Sequence, residues 1–288
     1  MSLKPSEFIQ NRDGSIYHLN LRPENIATTI ITVGDPDRVD KVTKYFDEVE
    51  FSIRKREFHT QTGTYRGKRI SVVSTGIGTD NIDIVLNELD ALVNIDFQTR
   101  EIKDKLTSLD IIRIGTSGSI QKEIPIDSFL VSEMGIGFDP LMNFYVDDNI
   151  LNTHMASDFM AHINWESDQG TPYAVSCSSE LAGKFQKDFY RGITVTNCGF
   201  YGPQGRVLRL PVRDNNLNDK LYSFEYEGKK ITNLEMETSG IYALSKLLGH
   251  RAVSLNAIIA NRATGEFSRD SSGITTKLIE QALKDIVS

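Results

Sequence analysis

The sequence predicts a single α/β domain built around a largely parallel or mixed β-sheet. Strand-like and helix-like segments alternate through most of the 288 residues, which is the pattern of such sheets. Three of the strand-like segments run into glycine-containing turns, as expected where ligand groups collect at the carboxyl ends of strands. The sequence contains no repeats, low-complexity tracts or linkers, so we interpret residues 1–288 as one domain.

The first half of the chain begins with a β-branched strand and a charged amphipathic helix. In that helix Val39, Val42 and Phe46 recur at helical spacing. A hairpin turn at residues 66–68 joins two further strands, and an apolar run interrupted only by Arg113 indicates a strand buried on both faces. The predicted strands are 27–33, 50–65, 68–74 and 109–114, and the predicted helices are 38–46 and 80–93.

The second half continues this alternation and ends in a helix. One strand leads directly into a helix that Gly249 terminates, and a long central strand follows. The predicted strands are 128–131, 171–177, 193–198, 230–234 and 252–260, and the predicted helices are 236–248 and 274–287. We expect residues 1–15 to form a flexible N-terminal segment. Residues 135–170 are loop-rich, and we interpret them as an insertion rather than a second domain.

Composition and charge exclude several classes of protein. A net charge of −7 argues against a nucleic-acid partner, because binding a phosphate backbone requires a basic surface. Cys177 and Cys198 form no metal-ligand pattern with the histidines, so a reducing compartment without disulfides or structural zinc is expected. No apolar run reaches the roughly 20 residues of a membrane helix, and the N-terminus lacks a secretion signal. We therefore expect a soluble cytoplasmic protein.

Three glycine-containing turns follow strands and are candidates for binding an anion through backbone N–H groups. They are residues 34–38, 75–78 and 113–118. For each of them the alternative is that the glycines only permit a tight turn. None matches the dinucleotide fingerprint, since Asn81 takes the third glycine position, and residues 63–68 have the wrong spacing for a P-loop. A nucleotide-triphosphate site is therefore not supported.

Three arginines are candidates for contacting an anionic ligand. Arg38 closes the first glycine turn, and Arg113 lies in an apolar strand two residues before Gly115. A buried arginine without a charge partner is very costly, so Arg113 either pairs with a structural carboxylate or faces an anionic ligand. Arg56 is the third candidate, and a solvated or salt-bridged strand residue is the alternative interpretation.

Two further segments carry groups suited to a sugar and to a flat ring. At the strand-to-helix junction 235–238, a carboxylate either caps the helix N-terminus or accepts hydrogen bonds from a pair of sugar hydroxyls. In the segment 200–206, the Gln204 amide and the Arg206 guanidinium can reach one edge of a flat ring whose face Phe200 covers. An ordinary loop is the alternative for this second segment.

Taken in order, these motifs resemble those of the uridine phosphorylase branch of the nucleoside phosphorylase family. The similarity runs from residue 17 almost to the C-terminus and rests on GDPDR at 34–38, REF at 56–58, STGIG at 74–78, RIGTSG at 113–118, QGR at 204–206, EME at 235–237 and NR at 261–262. The resemblance implies a central mixed, partly barrel-like β-sheet surrounded by helices in a three-layer α/β/α fold. It also implies a pentosyltransferase that splits uridine, or its deoxy analogue, reversibly with inorganic phosphate into uracil and ribose 1-phosphate.

The resemblance also implies which residues hold the phosphate, the co-substrate. These are Gly34, Arg38, Arg113 and Thr116, together with Arg56 of a neighbouring subunit. His18 of that neighbour would reach the ribose 5′-hydroxyl. Sharing a site in this way implies a homo-oligomer, either a dimer or a hexamer that is a trimer of dimers.

For the nucleoside, the resemblance implies separate ribose and base contacts. The ribose residues are Met236 and Glu237, with His18, and the base residues are Phe200, Gln204, Arg206 and Arg262. Arg206, Gln204, Glu237 and Arg113 are the predicted catalytic residues. No metal or organic cofactor is expected. Glu57 is the candidate ligand for the monovalent cation that the family can bind, although residues 79–81 depart from the family pattern at that point.

The charges that develop in such a reaction agree with these roles. The sugar becomes oxocarbenium-like, which Glu237 favours, and uracil becomes anionic, which Arg206 and Gln204 stabilise. A purine nucleoside phosphorylase of the same fold would carry an Asp where this chain has residues 261–263, Asn-Arg-Ala. A nucleosidase would use water and would not need the arginines. A catalytically silent nucleoside-binding protein is the alternative from a different class.

Overall fold

The computed structural model describes residues 2–146 and 149–288, so that Asp147 and Asp148 of the predicted insertion lie outside the described residues. The described strands are β1 (Thr29–Val33), β2 (Glu48–Lys55), β3 (Phe58–Tyr65), β4 (Lys68–Ser74), β5 (Asp110–Ser119), β6 (Phe129–Gly137), β7 (Tyr173–Ser176), β8 (Phe189–Thr196), β9 (Glu225–Tyr226), β10 (Lys229–Glu235), β11 (Arg251–Asn261) and β12 (Glu266–Phe267). The described α-helices are α1 (Asp37–Thr43), α2 (Thr79–Asn94), α3 (Thr153–Ile163), α4 (Ser179–Ala182), α5 (Leu217–Ser223), α6 (Thr238–Leu247) and α7 (Ser271–Val287).

The strands form one mixed sheet, five strands of which close into a barrel. β5 pairs in parallel with β11, β11 pairs with β6, β6 with β8, and β8 with β10. β10 then returns to β5 as an antiparallel neighbour, with Leu234 opposite Gly118. From β5 the sheet continues outward through β1, β4, β3 and β2. The predicted mixed, partly barrel-like sheet is confirmed.

Helices cover both faces of the central part of the sheet, so a strand such as β1 is buried on both sides. In β1, Ile30 belongs to an apolar cluster that includes residues of α2 and α6, whereas Ile31 and Val33 belong to a second cluster with residues of α1 and α7. Successive strand residues point to opposite faces, so each cluster fills one side of the sheet. This arrangement confirms the predicted three-layer fold. None of the helices among the described residues is both long and apolar enough to cross a bilayer.

The predicted strand 50–65 is two strands, β2 and β3, that pair as a hairpin. The chain turns at Arg56 and Glu57, where Arg56 adopts a left-handed conformation with φ of +56°. Glycine is the usual residue in that conformation, and the segment has none at the turn. The sequence pattern therefore gave no sign of the break.

Residues 135–170, interpreted as an insertion, begin inside the central sheet. Residues 135–137 are the end of β6 and pair with both β7 and β8. Gly137 has no room for a side chain, because a Cβ there would lie 2.4 Å from the ring of Tyr173. Farther along, α3 packs Phe159 against Phe138 and Phe224, with ring centroids 5.7 and 5.2 Å away. The start predicted for the insertion is therefore wrong.

The N-terminal residues, expected to be flexible, contact the loop that follows α2. Phe8 is 4% exposed and belongs to the main apolar core. The N–H of Leu3 donates to the carbonyl of Arg100 at 2.8 Å, and the Arg100 guanidinium donates to the Phe8 carbonyl and the Gln10 side chain. These contacts join the segment to the domain.

Candidate active site

A cavity of about 640 Å³ opens at the carboxyl ends of the central strands. Gly34 follows β1, Gly76 follows β4, Glu235 ends β10 and Ala260 lies near the end of β11, and all four line the cavity. Open α/β sheets usually bind their ligands at this edge. The predicted site residues in the lining are Gly34, Arg38, Glu57, Arg113, Thr116, Phe200, Gln204, Arg206, Met236 and Glu237.

Residues 113–118 are not a turn, because β5 runs through them to Ser119 and pairs with β11 along its length. Gly115 is required for a different reason. A Cβ at that position would lie 2.0 Å from Nη1 of Arg113, so the guanidinium occupies the space where a side chain would be. The interpretation of this glycine as part of an anion-binding turn is therefore wrong. Arg113 and Thr116 nevertheless face the cavity.

The Arg113 guanidinium is paired with buried carboxylates. Its Nη2 lies 2.5 Å from Oε2 of Glu237 and 3.1 Å from Oε2 of Glu235, and its Nη1 donates to Oδ1 of Asn256 at 2.9 Å. Burial disfavours the charged arginine, but the two glutamates outweigh burial and raise the pKa of Arg113. Of the two alternatives for Arg113, the carboxylate pairing is therefore present. Its contact with phosphate stays a prediction.

The two glutamates at the junction of β10 and α6 have different roles. Glu235 accepts the backbone N–H groups of Glu237 and Thr238 at 2.9 and 3.0 Å and the hydroxyl of Thr196 at 2.6 Å, so it caps the helix. Glu237 accepts the N–H of Gly78 at 2.9 Å and faces the cavity. Burial, opposed by Arg113 and reinforced by Glu235, raises the pKa of Glu237. Glu237 is thus the carboxylate placed to meet a ligand.

Arg38 also lines the cavity, close enough to Arg113 to feel its charge. It has no carboxylate partner among the residues the structure describes. Its Nη1 donates to the carbonyl of Ile114 at 3.3 Å. Burial and the charge of Arg113 lower the pKa of Arg38. A cation in this position, with most of its N–H donors unused, is suited to an anion. Gly34 and Thr116 line the cavity beside it.

Phe200, Gln204 and Arg206 form a compact group on the loop after β8. The Arg206 guanidinium carbon lies 3.8 Å from the centroid of the Phe200 ring, and Nη1 donates to the Phe200 carbonyl and to Oε1 of Gln204. Gln204 is 2% exposed. Burial and the nearby Arg262 lower the pKa of Arg206 to about 10, so it is a cation at neutral pH. The group presents an aromatic face and several N–H donors to the cavity.

Arg262, predicted to lie near the far edge of the base, contacts this loop from outside the cavity lining. It donates to the carbonyls of Gln204 and Gly205 at 3.1 and 3.4 Å. The cavity lining also includes Ile77, Asn81 and Phe267, which the sequence reasoning missed. Ile77 and Phe267 are 68% and 65% exposed. The apolar Ile77 between two glycines is the sequence signal that could have indicated this exposed part of the cavity lining.

His18 and Arg56 both lie outside the cavity lining. Lys55, next to Arg56, donates to the carbonyl of Tyr17 at 2.5 Å, and its ammonium lies 5.2 Å from the Tyr17 ring. This contact joins the 17–18 segment to the β2–β3 turn. Arg56 is exposed and forms no ion pair within the described ranges 2–146 and 149–288. Both residues are therefore available to another molecule.

Comparison with known families agrees with this geometry. Residues 28–288 match the family described as the Phosphorylase superfamily. The chain belongs to the phosphorylase superfamily. Among curated phosphorylases, it is 29% identical to the uridine phosphorylase of Thermococcus kodakarensis over 96% of this chain and 88% of that protein. It is 28% identical to the uridine phosphorylase of Haemophilus influenzae, over 94% of this chain and 95% of that one.

Three further proteins are similar to the chain at identities of 22–27%. A DeoD-type purine nucleoside phosphorylase of Listeria monocytogenes is 24% identical over 86% of this chain and 88% of its own. A solved Trypanosoma brucei nucleoside phosphorylase, described as showing uridine phosphorylase activity, superposes with a TM-score of 0.85 at 27% identity, covering 98% and 99% of the two chains. A uridine phosphorylase of Phytophthora capsici shares the fold, with a TM-score of 0.72 at 22% identity over 100% and 99% of the chains.

Proposed function

We propose that this phosphorylase cleaves uridine with inorganic phosphate, reversibly, to give uracil and ribose 1-phosphate. One observation carries the proposal: a single cavity is lined by arginines suited to an anion, by a buried carboxylate suited to a sugar, and by a group suited to a flat ring. Arg38 and Arg113 form the first, Glu237 the second, and the group of Phe200, Gln204 and Arg206 the third. An anion, a sugar and a base are the three parts of a nucleoside phosphorylase reaction.

Phosphate occupies the end of the cavity at Gly34, Arg38 and Thr116, where Arg38 offers unused N–H donors. Arg113 adds positive charge there, although Glu235 and Glu237 already neutralise part of it. Holding the phosphate beneath C1′ makes the attack effectively intramolecular, which is the main contribution of such positioning.

Glu237 accepts the 2′- and 3′-hydroxyls of the ribose, and Met236 packs beside the sugar. As the C1′–N1 bond breaks, the sugar becomes oxocarbenium-like, and the carboxylate favours that positive charge. Arg113 and the N–H of Gly78 fix the carboxylate in place before the substrate arrives. A preorganised charge of this kind costs little reorganisation during the reaction.

Arg206 and Gln204 stabilise the negative charge that grows on the leaving uracil. Each donor placed in this way contributes about 3 kcal/mol to the transition state. The Arg206 guanidinium lies against the Phe200 ring, so one loop brings both groups to the base. No metal or organic cofactor takes part in this proposal. A monovalent cation at Glu57 and a cytoplasmic location remain predictions.

The site is completed by a second subunit in this proposal. Arg56 and His18 lie outside the cavity lining of their own chain, on segments that the Lys55–Tyr17 contact joins, which supports their reaching a neighbour's site. Arg56 would add a cation to the phosphate, and His18 would meet the ribose 5′-hydroxyl. A dimer or a hexamer that is a trimer of dimers satisfies this geometry.

Purine cleavage is disfavoured by the late loop. A purine base needs a proton donor at N7, but Asn261 is buried and uses its amide to donate to the carbonyls of Gln121 and Ile124, both at 2.9 Å. The test is to follow absorbance with uridine, inosine and thymidine, each with and without phosphate. Phosphate-dependent cleavage of uridine well above inosine supports the proposal. Faster cleavage of inosine, or cleavage independent of phosphate, contradicts it.

A further inference from the structure

A glutamate on helix α2 holds His18 through side chain and backbone together. Oε1 of Glu88 lies 2.7 Å from Nδ1 of His18 and accepts the backbone N–H of His18 at 2.9 Å, while Oε2 accepts the N–H of Leu19 at 2.7 Å. The two residues are 70 positions apart in the sequence. The contact therefore fixes the 17–19 segment onto α2 and orients the imidazole at the same time.

Neighbouring rings restrict the imidazole further. The Tyr17 and Phe58 rings meet it edge-on, with centroids 4.7 and 6.5 Å away. Phe58 is 2% exposed, so one wall of this setting belongs to the core. The side chains of Glu88 and His18 are 12% and 26% exposed, which leaves part of the ring open to solvent. No described residue forms a hydrogen bond with its Nε2.

The carboxylate determines which ring nitrogen carries the proton. An ionised glutamate only accepts hydrogen bonds, so Nδ1 must be the donor in the short contact with Glu88. In the neutral imidazole, Nε2 then holds a lone pair and is an acceptor. Nε2 is therefore fixed in position and in tautomer for a group that donates to it. A carboxylate fixes the histidine of a catalytic triad in the same way.

We propose that Glu88 is a positioning residue that sets the tautomer and direction of His18, so that Nε2 accepts a hydrogen bond from the nucleoside 5′-hydroxyl in a neighbouring subunit's site. The inference rests on the proposed function, because it assumes that His18 meets the ribose there. It adds that recognition of the 5′-hydroxyl depends on a residue of α2 that touches neither the nucleoside nor the cavity.

The test compares uridine with 5′-deoxyuridine in the Glu88→Gln variant. A glutamine oxygen in the position of Oε2 can still accept both backbone N–H groups, since Oε2 lies 2.7 Å from the Leu19 nitrogen and 3.1 Å from the His18 nitrogen, so the segment stays anchored. Its amide no longer requires the proton on Nδ1, so Nε2 loses its fixed acceptor role. We expect kcat/KM for uridine to fall about 10-fold and kcat/KM for 5′-deoxyuridine to stay unchanged, because the latter lacks the hydroxyl.

Two further variants separate positioning from a general structural effect. In a His18→Ala background, Glu88→Gln should cause no additional loss with uridine, since the two residues act as one unit. Asp90→Asn is the matched control: Asp90 lies on the same helix, 3.3 Å from His250, and should leave the ratio of the two substrates unchanged. Proton–nitrogen NMR should show the His18 proton on Nδ1 in the unmutated protein and not fixed there in Glu88→Gln.

The outcomes are distinct from those of the proposed function. If uridine is not cleaved with phosphate by the unmutated protein, the proposed function fails. If it is cleaved, but Glu88→Gln lowers kcat/KM equally for both substrates or adds to the loss of His18→Ala, Glu88 acts only on the structure. An unchanged uridine rate in Glu88→Gln would overturn the inference as well.

Discussion

Nη2 of Arg113 lies 2.5 Å from Oε2 of Glu237, and both side chains are buried at the cavity wall. The pair joins the middle of β5 to the start of α6, two elements that are 124 residues apart in sequence. It ties the residue proposed to hold the ribose to a residue proposed to attract phosphate. Stability and activity are therefore coupled at this contact.

Arg113→Ala should destabilise the protein strongly, because it leaves the carboxylates of Glu235 and Glu237 buried without a cation. Breaking such a buried pair costs about 3–5 kcal/mol. Arg38→Ala is the matched variant, since Arg38 has only a backbone carbonyl at 3.3 Å and no carboxylate partner among the described residues. It should cost under about 1.5 kcal/mol and still remove most phosphate-dependent turnover. Urea unfolding and uridine assays measure both, and equal stabilities of the two variants would contradict the account.

Arg206→Ala should lower kcat/KM for uridine by about 100-fold, through loss of charge stabilisation on the leaving base. The KM for phosphate should stay nearly the same, because Arg206 is proposed to contact the base and Arg38 the phosphate. Arg209→Ala is the control, an exposed arginine three residues along the same segment. Undiminished uridine turnover in Arg206→Ala would mean that the base site lies elsewhere.

Asp139 predicts a specific pH dependence of stability. The residue is 3% exposed, accepts the hydroxyl of Tyr173 at 2.9 Å, and has no cationic partner in the described part of the chain. Burial raises the pKa of Asp139, so the folded state binds its proton more tightly than the unfolded chain. The stability that this group contributes is present below the unfolded pKa of about 3.9 and is lost as pH rises through the folded value.

Asp139→Asn removes that loss, because the amide does not ionise. The stability of the variant relative to the unmutated protein should therefore increase as pH rises from about 4 to neutrality. Urea unfolding at a series of pH values gives the difference directly. A constant difference across this range would show that Asp139 has an ordinary pKa in the folded protein.

Mixed oligomers test whether sites are shared between subunits. Arg56→Ala should inactivate the neighbour's site and Glu237→Ala its own, so a mixed dimer keeps one intact site of two. With random mixing half of the dimers are mixed, and activity should recover to roughly a quarter of the unmutated value. The variants are refolded together or co-expressed and assayed with uridine.

The control for that experiment pairs Glu237→Ala with Arg206→Ala. Both residues line the cavity of their own chain, so each site in a mixed dimer carries one defect and activity should not recover. If the first pair also fails to recover although mixed oligomers form, Arg56 serves its own chain or the surface only.

The sequence predicted elements well where an apolar run ends at a polar turn. Residues 68–74 were predicted as a strand and are β4, and residues 252–260 lie within β11. The prediction is wrong where contact with another side chain determines which residue fits the backbone. The Arg113 guanidinium fills the space that a side chain at position 115 would need, and no local pattern shows this. The glycine therefore suggests a turn where the structure has a strand.

The site was predictable in its residue types but not in all its contacts. The junction 235–238 offers capping or ligand binding as alternatives, and the fold gives the cap to Glu235 and leaves Glu237 uncommitted to the helix. Glu235 also lines the cavity, but its oxygens accept the N–H groups at the start of α6, and only the tertiary structure fixes that turn. The hydrogen bond between Glu88 and His18 joins residues 70 positions apart, so no local sequence pattern could have predicted it.

The most direct test of the account is to follow uridine cleavage and phosphate consumption together. Phosphorus NMR of the protein with uridine and inorganic phosphate should show phosphate converted to a sugar phosphate, mole for mole with the uracil measured by absorbance. Without phosphate, no uracil should form. Uracil release at the same rate without phosphate, or free ribose in place of ribose 1-phosphate, would contradict the account.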